Sequence, residues 1–160
     1  MRKISLLILG AMLITQISNI YAYGDDILNP DYQLVTNLYN PPTCDGDVDT
    51  WSVNVNDWEY QATVTAQITV DELPAGGESS PLAAFVGDEV RGVTNGLNAG
   101  EAGFFYLLTL YSNETSGETV TFKYYDSSQG YVCLNETVDF VAGGENGSLG
   151  SPFAFTGSSL

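Results

Sequence analysis

The clearest order in the chain is a two-residue alternation. Trp58, Tyr60, Ala62, Val64, Ala66, Ile68 and Val70 are apolar, with Glu59, Gln61, Thr63, Thr65, Gln67 and Thr69 between them. That period predicts a β-strand with one buried and one polar face. Its 13 residues are more than twice the usual strand length, so a bulge or a bend from one sheet to another is expected part-way. Ahead of it, Trp51-Ser52-Val53-Asn54-Val55 is expected to open the regular part of the chain. Asp71 to Ser80, with Pro74 and Gly76-Gly77, reads as a polar loop.

Two short apolar runs, Pro81 to Val86 and Glu89 to Val93, flank Gly87-Asp88. A two-residue loop with glycine first is the type II′ hairpin pattern. In that register Phe85 faces Val90, Ala84 faces Arg91, Ala83 faces Gly92 and Leu82 faces Val93. Thr94 to Gly103 reads as a further loop. Phe104 to Tyr111 is apolar on both parities and predicts a central strand covered on both sides. In the next strand Val120, Phe122 and Tyr124 point inward, and Thr119, Thr121, Lys123 and Tyr125 outward. Tyr131 to Leu134, Thr137 to Val141 and a last edge strand, Pro152 to Thr156, complete the set. Eight or nine antiparallel strands without an amphipathic helix predict an all-β, immunoglobulin-like sandwich, with a small barrel as the alternative.

The N-terminus has a different pattern. Met1-Arg2-Lys3, an apolar run from Ile4 to Ile14 and a small residue at Ala22 fit a secretory signal peptide over 1-22. The run is shorter than the roughly 20 residues that span a bilayer. Residues 23-50, with Asn29-Pro30 and Pro41-Pro42, read as an extended leader, and 51-160 as the sandwich domain. The expected setting is secreted, extracellular or at the cell surface, with the periplasm as the alternative.

Charge narrows the partners. Removal of Arg2 and Lys3 leaves Arg91 and Lys123 against 20 acids, a formal net charge of −18. Nucleic acid and anionic membrane surfaces are excluded as partners, because both require clustered cations. In an oxidising compartment Cys44 and Cys133 are expected to pair, closing a loop of nearly ninety residues. Such a closure is worth about 4 to 5 kcal/mol in the chain-entropy account.

Candidate chemistry is sparse. The chain has no histidine, so histidine-based nucleophile systems and metal sites are absent. The protein is expected not to be an enzyme. Asp45, Asp47 and Asp49 alternate like the first half of a calcium loop, but Thr50 and Asn56 stand where an EF-hand needs Gly and Glu. A looser Ca²⁺ site and a plain solvated turn are both open. Among the aromatic residues Tyr125 lies on the polar parity of its strand and is the candidate ligand-facing ring. Arg91 is expected to form a structural ion pair with a carboxylate.

Five motifs in order carry a resemblance: Trp51-Ser52-Val53-Asn54, Val64-Thr65-Ala66, Ala84 to Gly87 with Arg91 to Val93, Ser116 to Lys123 with Tyr125-Asp126, and Gly150 to Phe155. From Trp51 to about Thr156 the chain resembles a β-sandwich module of unassigned role from large secreted proteins of Bacteroidetes and related bacteria. In those proteins the module often precedes a type IX sorting domain. Here one module ends at Leu160, so general secretion is the expected route. The resemblance and the residues together imply a secreted binding or surface-assembly module. Its partner would be an extracellular glycan or protein, or further copies of itself. A carbohydrate-binding module and a calcium-dependent polymerising subunit are the two alternatives.

Overall fold

The computed structural model describes Cys44 and residues 46–159. The expected signal peptide, most of the expected leader and Asp45 lie outside the described residues. Among the described residues eleven strands run in chain order: β1 Tyr60–Val70, β2 Leu73–Ala75, β3 Leu82–Val86, β4 Glu89–Thr94, β5 Leu97–Asn98, β6 Phe104–Ser112, β7 Ser116–Asp126, β8 Gly130–Cys133, β9 Val138–Val141, β10 Glu145–Asn146 and β11 Phe153–Gly157. They form two packed sheets, the expected all-β sandwich. Among the described residues no helix is long and apolar enough to cross a membrane.

Sheet I has the order β10-β1-β6-β5, with β2 and β11 also paired to β1. Along one edge of β1 lie β6, from Tyr60↔Ser112 to Ala66↔Tyr106, and then β2. Along the other lie β10 and β11, both parallel to β1. The long alternating strand therefore stays in one sheet, and its pairing with β6 and β11 runs without a register shift. It accommodates its length by changing neighbours, where a bulge or a change of sheet is the sequence expectation. The last strand also departs from an all-antiparallel scheme, since β11 runs beside β1 in the same direction.

Sheet II has the order β4-β3-β7-β8, with β9 also on β7. Between the sheets Val64, Ala66, Ile68, Leu82, Tyr106, Leu108, Leu110, Val120, Phe122, Tyr124, Phe140 and Phe155 belong to one hydrophobic core. Every inward residue of β1 from Ala62 to Val70 belongs to it, as the two-residue period predicts. Two buried tyrosines keep their hydroxyls satisfied. Tyr106 donates to the Ser80 carbonyl at 3.0 Å, and Tyr124 donates to Asp126 Oδ2 at 3.2 Å. Burial is the first cause that raises both phenol pKa values above the ordinary tyrosine range.

Three local structures differ from the sequence expectations. Gly87 takes φ 59° while Asp88 does not, as in a type II′ turn, and Val86↔Glu89 and Phe85↔Val90 pair as read. Beyond them the register shifts, so Ala84 faces Gly92, Ala83 faces Val93 and Leu82 faces Thr94. Arg91 is the extra residue of a β-bulge, which a count of alternating positions from the turn does not reveal. Trp51 to Val55 forms no strand. Instead Asn54 caps a single 3₁₀ turn, Val55–Asp57, by accepting from the Asn56 N–H at 3.3 Å. Finally, the stretch read as a polar loop after β1 is partly a hairpin. Asp71 and Glu72, at φ 51° and 66°, make a tight two-residue turn into β2, a conformation that neither residue type advertises as Asn-Gly would.

The sandwich is tied at both open sides. At one corner β4 crosses β6 so closely that a Cβ on Gly92 would stand 2.3 Å from the Thr109 carbonyl oxygen. On the other side the Asn135 N–H donates to the Thr156 carbonyl at 2.8 Å, joining the end of β8 to β11.

Candidate functional site

The two outer faces of the sandwich are unlike. On sheet II the outward positions Ala83, Phe85, Tyr125 and Tyr131 are apolar or aromatic, and they are covered. The cover is the chain's own segment before the first strand, residues 46–51. Trp51 is 9% exposed and meets Phe85 and Tyr131 edge-on, each at 5.7 Å between centroids. The Val48 N–H donates to the Tyr131 hydroxyl at 2.7 Å. Cys44 and Cys133 form a disulfide that anchors this strap to β8. The leader expected to run to Thr50 is thus part of the domain from Cys44 onward. Tyr125, the candidate ligand-facing ring, is half-buried against Tyr131 at 4.9 Å. It belongs to the aromatic layer under the strap.

The aspartates of the acidic turn serve the strap locally. Asp47 Oδ1 accepts from the Asp49 N–H at 3.1 Å and caps the 3₁₀ turn Val48–Thr50. Asp45 is outside the described residues. Among the described residues no three His, Cys, Asp or Glu side chains stand close enough to hold a metal ion.

Arg91 forms the structural ion pair read from the sequence, with Glu118 of β7. Its two terminal nitrogens reach the two carboxylate oxygens at 2.8 and 3.2 Å, and Nη1 also donates to the Tyr111 carbonyl at 3.2 Å. The guanidinium lies 4.4 Å from the centre of the Trp58 ring. Nε stands 3.2 Å from Glu89 without the alignment of a hydrogen bond. Glu118 also accepts from the Ser112 hydroxyl. The bulge is what delivers Arg91 here. It aims the side chain into the corner where β4 crosses β6, and the pair joins sheet II to the end of β6.

Above that corner lies the outer face of sheet I, and among the described residues no strap covers it. From β1 it presents Gln61, Thr63, Thr65, Gln67 and Thr69; from β6 it presents Leu107, Thr109 and Tyr111, with Gln61 opposite Tyr111, Thr63 opposite Thr109 and Thr65 opposite Leu107. Phe105 is buried on this side but Leu107 is 48% exposed, so the strand expected to be covered on both sides is open on its outer side from Leu107 onward. One end of this face opens into a shallow depression lined by Val55, Trp58, Glu59, Tyr60, Gln61 and Tyr111. The other end reaches a second depression lined by residues that include Gln67, Thr69, Pro74, Ala102 and Phe104. From Gln61 to Thr69 at the usual strand rise, the track between them is about 26 Å long.

Its polar groups are largely uncommitted. Among the described residues, hydrogen bonds within the protein engage Gln67, which donates to the Ala102 carbonyl at 2.7 Å, and Thr69, which reaches the Phe155 carbonyl at 3.4 Å. Within those residues the hydroxyls of Thr63, Thr65 and Thr109 and the amide of Gln61 have no protein partner. Compared with known protein families, curated proteins and solved structures, the chain matches none.

Proposed function

We propose that the protein is a secreted, acidic, non-catalytic β-sandwich that binds an extracellular partner through the outer face of sheet I. The observation that carries this reading is the track of β1 and β6 that the described residues leave open, with hydroxyl and amide groups they do not engage and Trp58 and Tyr111 at one end. The disulfide and the lack of a membrane-spanning helix among the described residues are compatible with an extracellular setting. Assembly by strand addition draws less support. Pro74 interrupts donation from β2, β4 carries a bulge, and β5 and β10 are two residues each, all features that blunt an edge.

The test is retention of the mature protein on an immobilised panel of extracellular polysaccharides and matrix proteins. Leu107→Glu places a charge in the middle of the track, and Val141→Glu does the same at an exposed position of β9 in sheet II. Wild type and Val141→Glu should be retained on at least one panel member and Leu107→Glu on none of those. Equal retention of all three, or retention of none, would refute the reading.

A further inference from the structure

A polar outer face is by itself the ordinary state of an antiparallel sheet with one solvated side. Two features of sheet I go beyond that. The first is charge. The chain has 20 acidic residues, yet none of the outward positions of β1 from Gln61 to Thr69, or of β6 from Phe105 to Tyr111, is charged. Among the described residues acids stand at its margins: Glu59 in the end depression, Glu145 on β10 opposite Thr63, and Glu136, which accepts from the Thr156 hydroxyl opposite Thr69. The second is the form of the surface. It is a long track with an aromatic end, and the enclosed cavity that usually buries a small ligand is not its shape.

We infer that this face binds an extended, uncharged polysaccharide, with sugar hydroxyls on the Thr63, Thr65, Thr109 and Gln61 row and a sugar ring against Tyr111. The inference rests on the binding role proposed above and names the chemistry of its partner. Threonine hydroxyls and glutamine amides each both donate and accept, which suits sugar hydroxyls that do the same. An aromatic face offers the apolar C–H side of a pyranose a flat surface, while the polar row takes its edge. The acidic margins and the net charge repel polyanions, so alginate-like or sulfated chains are disfavoured. A protein partner is also disfavoured. Protein interfaces concentrate aromatic residues, Met and Arg at their centres, whereas the middle of this track is Thr63, Thr65, Leu107 and Thr109. Trp58, with the Arg91 guanidinium 4.4 Å from its ring centre, offers a second aromatic surface in the same depression.

The experiment uses the mature protein in pull-downs on insoluble cellulose, xylan, mannan and β-1,3-glucan as neutral probes, alginate as a polyanion and chitosan as a polycation. Retention on at least one neutral polymer is expected, unaffected by moderate salt. Tyr111→Ala and Thr65→Glu should each weaken it roughly tenfold or more, with Val141→Glu unchanged. A Thr63→Ala/Thr65→Ala double variant, which leaves the core untouched, gives the same reading if either of the others loses its cooperative melt. Chitosan is expected to hold all variants alike and to release them in salt, as a purely charge-driven contact does. Retention on no neutral polymer, or equal retention of wild type and face variants on one, overturns the inference. Loss of binding to a matrix protein in the face variants, without neutral-polymer retention, overturns the sugar assignment and leaves the binding face standing.

Discussion

Sheet II and sheet I both expose one side of a strand pair to the outside of the sandwich, and the chain treats the two sides differently. Where the outward residues are Ala83, Phe85, Tyr125 and Tyr131, residues 46–51 fold over them and a disulfide holds the cover. Where they are Thr63, Thr65, Thr109 and Gln61, the described residues lay nothing across. The difference follows from water. Aromatic surface gains by leaving it, and burial of Trp51 with Phe85 and Tyr131, together with the Val48–Tyr131 hydrogen bond and the Cys44–Cys133 bond, offsets the cost of ordering a short strap. Hydroxyl and amide groups are satisfied by water and call for no cover. An aromatic residue at an outward position is thus weak evidence for a ligand platform, because the chain often brings its own occupant.

The contrast can be broken most strongly at the disulfide. Replacing Cys44 and Cys133 together by Ser should lower stability by about 4 kcal/mol in urea unfolding, and Trp51 emission should shift to the red as the strap loosens. A loss under about 1 kcal/mol would show that the cover holds without its anchor. Next, Trp51→Ala removes the centre of the cover, and about 3 to 4 kcal/mol is the expected cost by chemical denaturation. A value within about 0.5 kcal/mol of wild type would mean the strap is incidental.

Glu118→Gln tests the corner that both faces share. It leaves the buried Arg91 guanidinium with only the exposed Glu89 carboxylate as counter-charge, and a loss of about 3 kcal/mol is expected by the same measurement. A smaller effect belongs to the turn beside the covered face. The Ser128 hydroxyl and backbone N–H donate to Asp126 and hold its carboxyl below the ordinary 3.8, so its stabilisation is present above that value and is lost as pH falls through the lower folded pKa. Ser128→Ala should therefore trail wild type in urea midpoint at pH 6 and approach it in acid; a constant gap would contradict this. Least of all should come from the open face, where Thr65→Ser should change stability by no more than about 0.5 kcal/mol.

Much of this architecture is legible in the residues, and the misses have physical causes. The alternation from Tyr60 to Val70 marks β1 because the strand period is imposed by the backbone itself. The turn at Gly87-Asp88 marks the β3–β4 hairpin for a similar local reason. Arg91, however, lies one register step from its expected place. The bulge answers to the close crossing of β4 over β6, a contact between residues distant in sequence. Glu118 as its partner is hidden for the same reason, since any of the carboxylates could have served. The strap was obscured because Pro41-Pro42 and the acidic turn look like a leader, and only the disulfide partner shows where it returns. The open track was half visible. The Thr and Gln parity of β1 is plain, but FFYLLTLY suggests cover on both sides of β6, and burial of Leu107 cannot be told from hydrophobicity alone.

The Cys44–Cys133 bond also decides how the domain would carry a mechanical load. Tension entering along the main chain at Cys44 and leaving after Gly157 passes through the sulfurs directly to Cys133, bypassing the 89-residue span between them. Sheet II's β3, β4 and β7 and the whole of β1 and β6 lie inside that loop and cannot be drawn out while the bond is intact. Only the segment after Cys133, which holds β9, β10 and β11, can extend. Under pull the protein behaves as a locked knot of chain with a short releasable tail, and the proposed binding track stays in the locked part.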